Sequence, residues 1–215
     1  MSIYTSPDGH TVYEEKDGKK TRISPKGILD PIKLDMDFSK YLPPHADYSV
    51  HKGSCISYQT REQKDTREDY GNGFEPYVED NTIIQQIWHD PKDFKEIGEK
   101  LGIDIVTVSS ILQPPGNTIT MHRDTFFKIK KDHSDDKRTL VRANIFMEAW
   151  EPGHLIQYED IFSPKKARND RWKTADHWKA GEGYLWDSKV LHLSTNAGLK
   201  DKYTMQISGF YTKEI

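Results

Sequence analysis

The feature that most constrains this chain is a change of hydrophobic period at Gly102. Before it, Phe94, Ile97 and Leu101 mark one apolar face of a helix that opens on Asp90-Pro91, an N-cap acceptor followed by proline at the first helical position. After it the pattern turns strand-like, through IDIVTVSSILQ, the turn PPGN and TITMH. TLVRANIFME, HLIQY, GYLWD, KVLHLS and YTMQISGFYT follow, short β-rich segments separated by Pro, Gly, Asn and Asp clusters. Helix first and many short strands after it imply a mainly β fold with flanking helices, a sandwich or barrel with the helices outside one sheet. A further helical turn through Ile83, Ile84 and Ile87 is expected just ahead of Asp90.

The first fifty residues read differently. Residues 10–24 form two short polar strands around Asp17-Gly18, a pair that supplies the positive φ angles of a tight hairpin turn. From Ser24 to about Leu34 the chain reads as irregular, and Tyr41-Leu42-Pro43-Pro44 forbids continuous helix or central strand. Residues 1–50 are therefore expected to be an arm with a β-hairpin, and 51–215 a single domain with helices near 80–101. A length of 215 residues favours one core. The stretch Arg61–Tyr70, dense in charge of both signs, reads as a solvated loop or a short exposed helix.

Composition excludes several function classes. No apolar run approaches the roughly 18 residues of a membrane-spanning helix, and MSIYTSPDGH lacks the basic and apolar regions of a secretory signal. Cys55 is the one cysteine, so the chain has no internal disulfide and no thiolate zinc site, which fits a reducing, cytoplasmic setting. A net charge of −3, from 31 basic and 34 acidic residues, leaves no overall basic footprint and weighs against a nucleic-acid partner. Aromatic residues make up 11% of the chain, enough to anchor a core in a polar sequence.

Nine histidines and a lone cysteine direct attention to imidazole–carboxylate metal chemistry, and three H-x-D triplets occur. His45-Ala46-Asp47 follows a double proline, and His133-Ser134-Asp135 sits in the charge run KIKKDHSDDK. His122-Arg123-Asp124 differs because it ends a strand signal, where residues i and i+2 share a face and can aim into one cavity. Two histidines and one carboxylate make the facial set that holds non-haem Fe(II) with open positions, and His192 in KVLHLS is the best third ligand. The competing reading makes His192 a hydrogen-bonded strand histidine and Asp124 a turn acid. On the next strand an inward Lys202 would pair a carboxylate held beside the metal, with Thr204 on the same face.

From Ile103 to Tyr211 the sequence resembles the Fe(II)- and 2-oxoglutarate-dependent oxygenases with a double-stranded β-helix core. The resemblance rests on the proline-glycine turn before H-x-D (QPPGNTITMHRD), the G-E-x-x-x-W-D run at Gly181–Asp187, HLSTN from His192, and a base with a hydroxyl two places on. Within the superfamily the tail is most similar to the aspartyl/asparaginyl β-hydroxylase group, although that group commonly lacks the carboxylate ligand and usually carries arginine where Lys202 stands. Lysine there is familiar from prolyl 4-hydroxylases. The resemblance implies a jelly-roll, cupin-like fold in which His122, Asp124 and His192 bind Fe(II), with 2-oxoglutarate and O2 taking the open positions. It further implies that Lys202 and Thr204 bind the far carboxylate of the cosubstrate, joined by Arg142 and, more weakly, Asn144. A salt bridge from Arg142 to Glu148 or Asp187 is the competing role.

The implied activity is hydroxylation of a C–H bond in a small-molecule or peptide substrate, with release of succinate and CO2. Two other readings stay open, a non-catalytic β-helix ligand-binding module and a nucleic-acid-modifying oxygenase. Trp150, Tyr184 and Trp186 are candidate pocket or core aromatics, Asn196 reads as a turn residue before Gly198, and Ser163–Lys173 as a candidate lid.

Overall fold

The computed structural model describes residues 2–5, 12–23, 27–42, 49–54, 78–161 and 168–213. Asp90 caps a 3-10 turn over Pro91–Phe94 by accepting from the Lys92 amide at 3.0 Å. The turn runs into α1 (Lys95–Leu101), which ends on Gly102 at φ 72°, the left-handed cap that glycine adopts without penalty. One further helix, α2 (Phe127–Asp132), interrupts the strands.

The strands are β1 (Ser2–Thr5), β2 (Val12–Lys16), β3 (Lys19–Ile23), β4 (Leu29–Lys33), β5 (Ser49–Ser54), β6 (Val78–His89) and β7 (Ile103–Gln113). They continue as β8 (Thr118–His122), β9 (Leu140–Phe146), β10 (His154–Glu159), β11 (Trp172–Ala175), β12 (Glu182–Asp187), β13 (His192–Asn196) and β14 (Lys202–Tyr211). They form a seven-stranded sheet in the order β4-β12-β9-β14-β7-β6-β5 and a four-stranded sheet in the order β11-β10-β13-β8. β1, β2 and β3 make a separate small sheet, in which β2 and β3 join through Asp17 and Gly18, both at positive φ. The two larger sheets, built from antiparallel strands that alternate between them, are the jelly-roll of a double-stranded β-helix.

Two cores explain why β9, LVRANIF, is buried at every position. Its odd-numbered residues Val141, Ala143 and Ile145 face outward with Met205, Ile207 and Leu185. There they are covered by Phe94, Ile97 and Leu101 on one side and by Ile28, Ile32, Leu34 and Phe38 on the other. Its even-numbered residues face the small sheet. Phe146 packs there with Ile156, Trp178, Trp186 and Val190, while Arg142 and Asn144 share that inner face as polar groups. The helix therefore lies outside one sheet, and the polar chemistry lies between the two.

Three segments depart from the sequence expectation. Ile83, Ile84 and Ile87 lie on β6 and not on a helical turn, so the helical stretch near 80–101 begins only at Pro91. In VEDNTIIQQIWH the β-branched residues favour the pleated surface, and apolar residues at i, i+1 and i+4 do not separate the two periods. β4 forms within the stretch read as irregular and pairs with β12, the Pro31 ring being tolerated because β4 is the sheet edge. The helix α2 follows Phe126, whose φ of 53° turns the chain out of β8. Cys55, the Arg61–Tyr70 run and the His45-Asp47 triplet lie outside the described residues.

Candidate metal and cosubstrate site

β8 and β13 are neighbours in the small sheet, and their register sets His122 directly opposite His192. The two rings lie 4.3 Å apart between centroids. Asp124 follows the end of β8 and reaches the same point, so that one ligand atom from each of His122, Asp124 and His192 lies within 4.8 Å of the others. Among the described residues no other group of three such side chains is this close. Nδ1 of His192 faces the Val190 carbonyl at 3.0 Å, which turns Nε2 toward Asp124 Oδ2, 3.8 Å away.

The electrostatics suit a cation. Burial, and then the neighbouring His122, push the His192 imidazolium down to about 3, so the ring is neutral and its Nε2 lone pair is available. Burial alone would raise the Asp124 carboxyl, but Arg142, His192 and His122, with a hydrogen bond from Trp186, outweigh it and hold the group below its ordinary value. Asp124 is thus an ionised carboxylate that is 4% exposed. Arg142 forms an ion pair with Asp124 Oδ1, and Trp186 Nε1 donates to Oδ2 at 3.0 Å. Of the alternative partners for Arg142, Asp187 pairs with Lys189 and Glu148 accepts from the Tyr203 amide.

From the histidines a cavity runs inward between the sheets, lined by Gln113, Asn144, Trp186, Ser194, Thr204 and Gln206 among others. Two buried polar atoms on its wall, Asn144 Nδ2 and Thr204 Oγ1, have no hydrogen-bond partner. Gln206 Nε2 donates to Asn144 Oδ1 at 3.0 Å. Beyond Thr204 lies Lys202, 1% exposed, whose ammonium donates to Ser194 Oγ at 2.5 Å, Leu155 O at 3.0 Å and Gln113 Oε1 at 3.3 Å. All three acceptors are neutral, and no carboxylate pairs with Lys202 among the described residues. Burial lowers its pKa to about 7.

Of the seven ligand and cosubstrate residues expected from the sequence, His122, His192, Asn144 and Thr204 line the cavity, Asp124 and Arg142 pair with each other, and Lys202 donates to two residues of its wall, Gln113 and Ser194. Ser208, Gln206 and Ser194 were not singled out, although alternation from Thr204 and His192 would have reached them. Gln113 carries no such signal, because its role comes from the register that sets it opposite Lys202. The other H-x-D triplet is elsewhere: His133 and Asp135 are exposed beyond α2, with the His133 ring 5.7 Å from Phe210. Asn196 holds the turn, donating to the Gln113 and Lys200 carbonyls and accepting from the Gly198 amide. Tyr184 and Trp186 share a face, their rings 6.4 Å apart, while Trp150 stacks on His177. Of the lid candidate, the described part is a 3-10 turn (Arg168–Arg171) and β11, tied down by an ion pair of 2.9 Å between Arg171 and Glu159.

No family model and no curated protein matches the sequence. Among solved structures, a Pseudomonas putida prolyl-4-hydroxylase is similar over 77% of this chain and 92% of its own, with 16% identity and a TM-score of 0.44. The non-heme alpha ketoglutarate dependent carbocyclase SnoK from nogalamycin biosynthesis is similar over 80% and 85%, with 8% identity and a TM-score of 0.45. EvdO2 from Micromonospora carbonacea, complexed with 2-oxoglutarate, is similar over 79% and 88%, with 12% identity and a TM-score of 0.43. None of them assigns a role to a residue of this chain. In its β-helix topology and its His-Asp-His set, the chain resembles the Fe(II)- and 2-oxoglutarate-dependent oxygenases. Among the described residues no helix is long and apolar enough to cross a membrane.

Proposed function

We propose that this protein is an Fe(II)- and 2-oxoglutarate-dependent dioxygenase that hydroxylates a C–H bond of a small-molecule or peptide substrate. The observation that carries the reading is the pairing of two features around one cavity: the two histidines of a His-Asp-His set on its wall, and a buried lysine with only neutral partners that donates to Gln113 and Ser194 of the same wall. A metal-free binding module would gain nothing from burying that cation, because a desolvated charge without a counterion is a cost.

The residues fit the absent groups. Two neutral imidazoles and one carboxylate suit a first-row divalent metal and leave coordination positions open. Ser194, which holds Lys202, is two residues past His192 on β13 and so on the same strand face. That placement suits a dicarboxylate with its keto-acid end at the metal and its far carboxylate on Lys202. Fe(II) and 2-oxoglutarate, when bound, would supply the O2-dependent oxidative decarboxylation that drives hydroxylation and yields succinate and CO2.

The chain's own part is binding, orientation and exclusion of water. His122, Asp124 and His192 hold the metal. Lys202 neutralises the far carboxylate, Thr204 Oγ1 donates to it, and Asn144 Nδ2 donates nearer the metal. Ile111, Ile119 and Ile156 line the remaining wall and keep it dry. The test is to incubate the iron-loaded protein with 2-oxoglutarate in air and measure succinate, alone and with candidate substrates. Succinate formed in step with 2-oxoglutarate loss, and absent for His122→Ala, is the expected result. No succinate from a protein shown to hold iron would overturn the reading.

A further inference from the structure

Arg142 occupies the middle of a row that crosses three strands of the large sheet. It pairs in register with Trp186 on β12 and with Ser208 on β14. All three side chains turn to the inner face, and all three bear on Asp124 or on each other. Arg142 Nε donates to Ser208 Oγ at 3.0 Å, its Nη1 meets Asp124 Oδ1, and Trp186 Nε1 donates to Oδ2 at 3.0 Å. The guanidinium lies over the Phe126 ring, 5.4 Å from its centroid. Phe126 is 1% exposed and sits at a positive φ that side-chain-bearing residues seldom adopt, so the segment after Asp124 is bent to put that ring there.

Resting on the assignment of Asp124 as a metal ligand, we propose that the Trp186-Arg142-Ser208 row is a clamp that fixes which Asp124 oxygen faces the metal. Arg142 is accordingly a positioning residue for the ligand and not a contact to the cosubstrate. The geometry selects the oxygen. Oδ1 is engaged by the charged Arg142 guanidinium, whereas Oδ2 is the oxygen 3.8 Å from His192 Nε2 and accepts from the neutral Trp186 indole. Ser208 matters because it holds Nε: with Nε fixed, the guanidinium plane presents Nη1 to Oδ1. A carboxylate held in this way binds through one oxygen. A carboxylate that turns freely can chelate through two and consume a position the cosubstrate needs.

The experiment uses the full chain and Co(II) as the probe. Metal affinity and the visible Co(II) spectrum are recorded for wild type, Arg142→Met, Arg142→Lys and Ser208→Ala, followed by 2-oxoglutarate affinity at saturating Mn(II). Loss of a group that orients a ligand typically costs about 10- to 100-fold in metal affinity, and Arg142→Met is expected in that range with an altered Co(II) spectrum. Arg142→Lys recovers part of the affinity. Ser208→Ala, which removes one hydroxyl and keeps the test available should Arg142→Met not fold, loses less in the same direction. Wild-type Co(II) affinity and spectrum in both Arg142→Met and Ser208→Ala would overturn the clamp. So would an Arg142→Met protein that binds Co(II) normally and has lost 2-oxoglutarate. Failure of the parent reading looks different: His122→Ala would then bind Co(II) as tightly as wild type.

Discussion

Lys202 is where residue chemistry is most exposed to test. The unfolded chain holds its proton up to about the ordinary 10.5, while the folded chain releases it near 7, so between those values the unfolded state binds more protons and stability rises with pH. The penalty for charging this lysine is fully present below about pH 7 and amounts to a few kcal/mol. Lys202→Met should therefore raise the unfolding temperature at pH 6 and lose most of that gain at pH 9. A Met variant less stable than wild type at pH 6 would contradict the burial argument. Cosubstrate binding has the opposite slope, because a carboxylate on Lys202 needs the ammonium. Affinity of the Mn(II)-loaded protein for 2-oxoglutarate should fall as pH rises above about 7, by at most about tenfold per pH unit, and should be lost in Lys202→Ala. An affinity flat from pH 6.5 to 8.5 would remove Lys202 from the site. Part of the residue pattern could be read from the sequence: Lys202 and Thr204 alternate on β14, and the H-x-D spacing marked His122 and Asp124, although Asp124 lies beyond the strand on which alternation was expected to place it. The partner of Arg142 could not, since Asp124 lies past the end of β8 and no spacing says which cation meets it.

At the scale of elements, the inner face of the large sheet depends on a bulge in β7, where Val106 is the extra residue opposite β14. The register between β14 and β7 shifts between Ser208 and Gly209, and a Cβ on Gly209 would lie 2.0 Å from the Asp104 carbonyl oxygen. Gly209→Ala must therefore push the β7 backbone away and move Ser208, the residue that orients Arg142. An overpacked position of this kind costs about 1–3 kcal/mol, which the midpoint of urea unfolding would register, and Co(II) affinity should fall with it. An unchanged midpoint would show that the two strands separate without strain. The helix from Asp90 to Gly102 was legible because both of its ends carry local chemistry, a capping aspartate with proline and a terminal glycine. β4 and β6 were not. Pro31 and the run of isoleucines describe local preference, whereas pairing with β12 and β7 is decided by distant chain.

For the whole molecule, the division of labour among the first residues predicts what truncation does. Among the described residues β1, β2 and β3 pair with each other and with no other strand, so removal of residues 1–23 should leave 2-oxoglutarate affinity intact. Removal of residues 1–42 strips Ile28, Ile32, Leu34 and Phe38 from the outer core and β4 from the sheet edge, and should abolish cooperative unfolding. A folded protein after the longer deletion would show that the arm is not part of the core. The β-helix was legible as a class, from many short strands after a helix. Its closure was not, because which strands alternate between the sheets is a matter of long-range register.

The central claim is that His122, Asp124 and His192 hold iron with 2-oxoglutarate bound beside it. The measurement that meets it most directly is an anaerobic titration of Fe(II) into the protein with 2-oxoglutarate present, followed in the visible for the weak metal-to-cosubstrate charge-transfer band. A band that saturates at one iron per chain, disappears in His122→Ala, Asp124→Ala and His192→Ala, and persists in Asp135→Ala is the predicted result. A band unaffected by Asp124→Ala, or no band from a protein that binds both iron and 2-oxoglutarate, would contradict it.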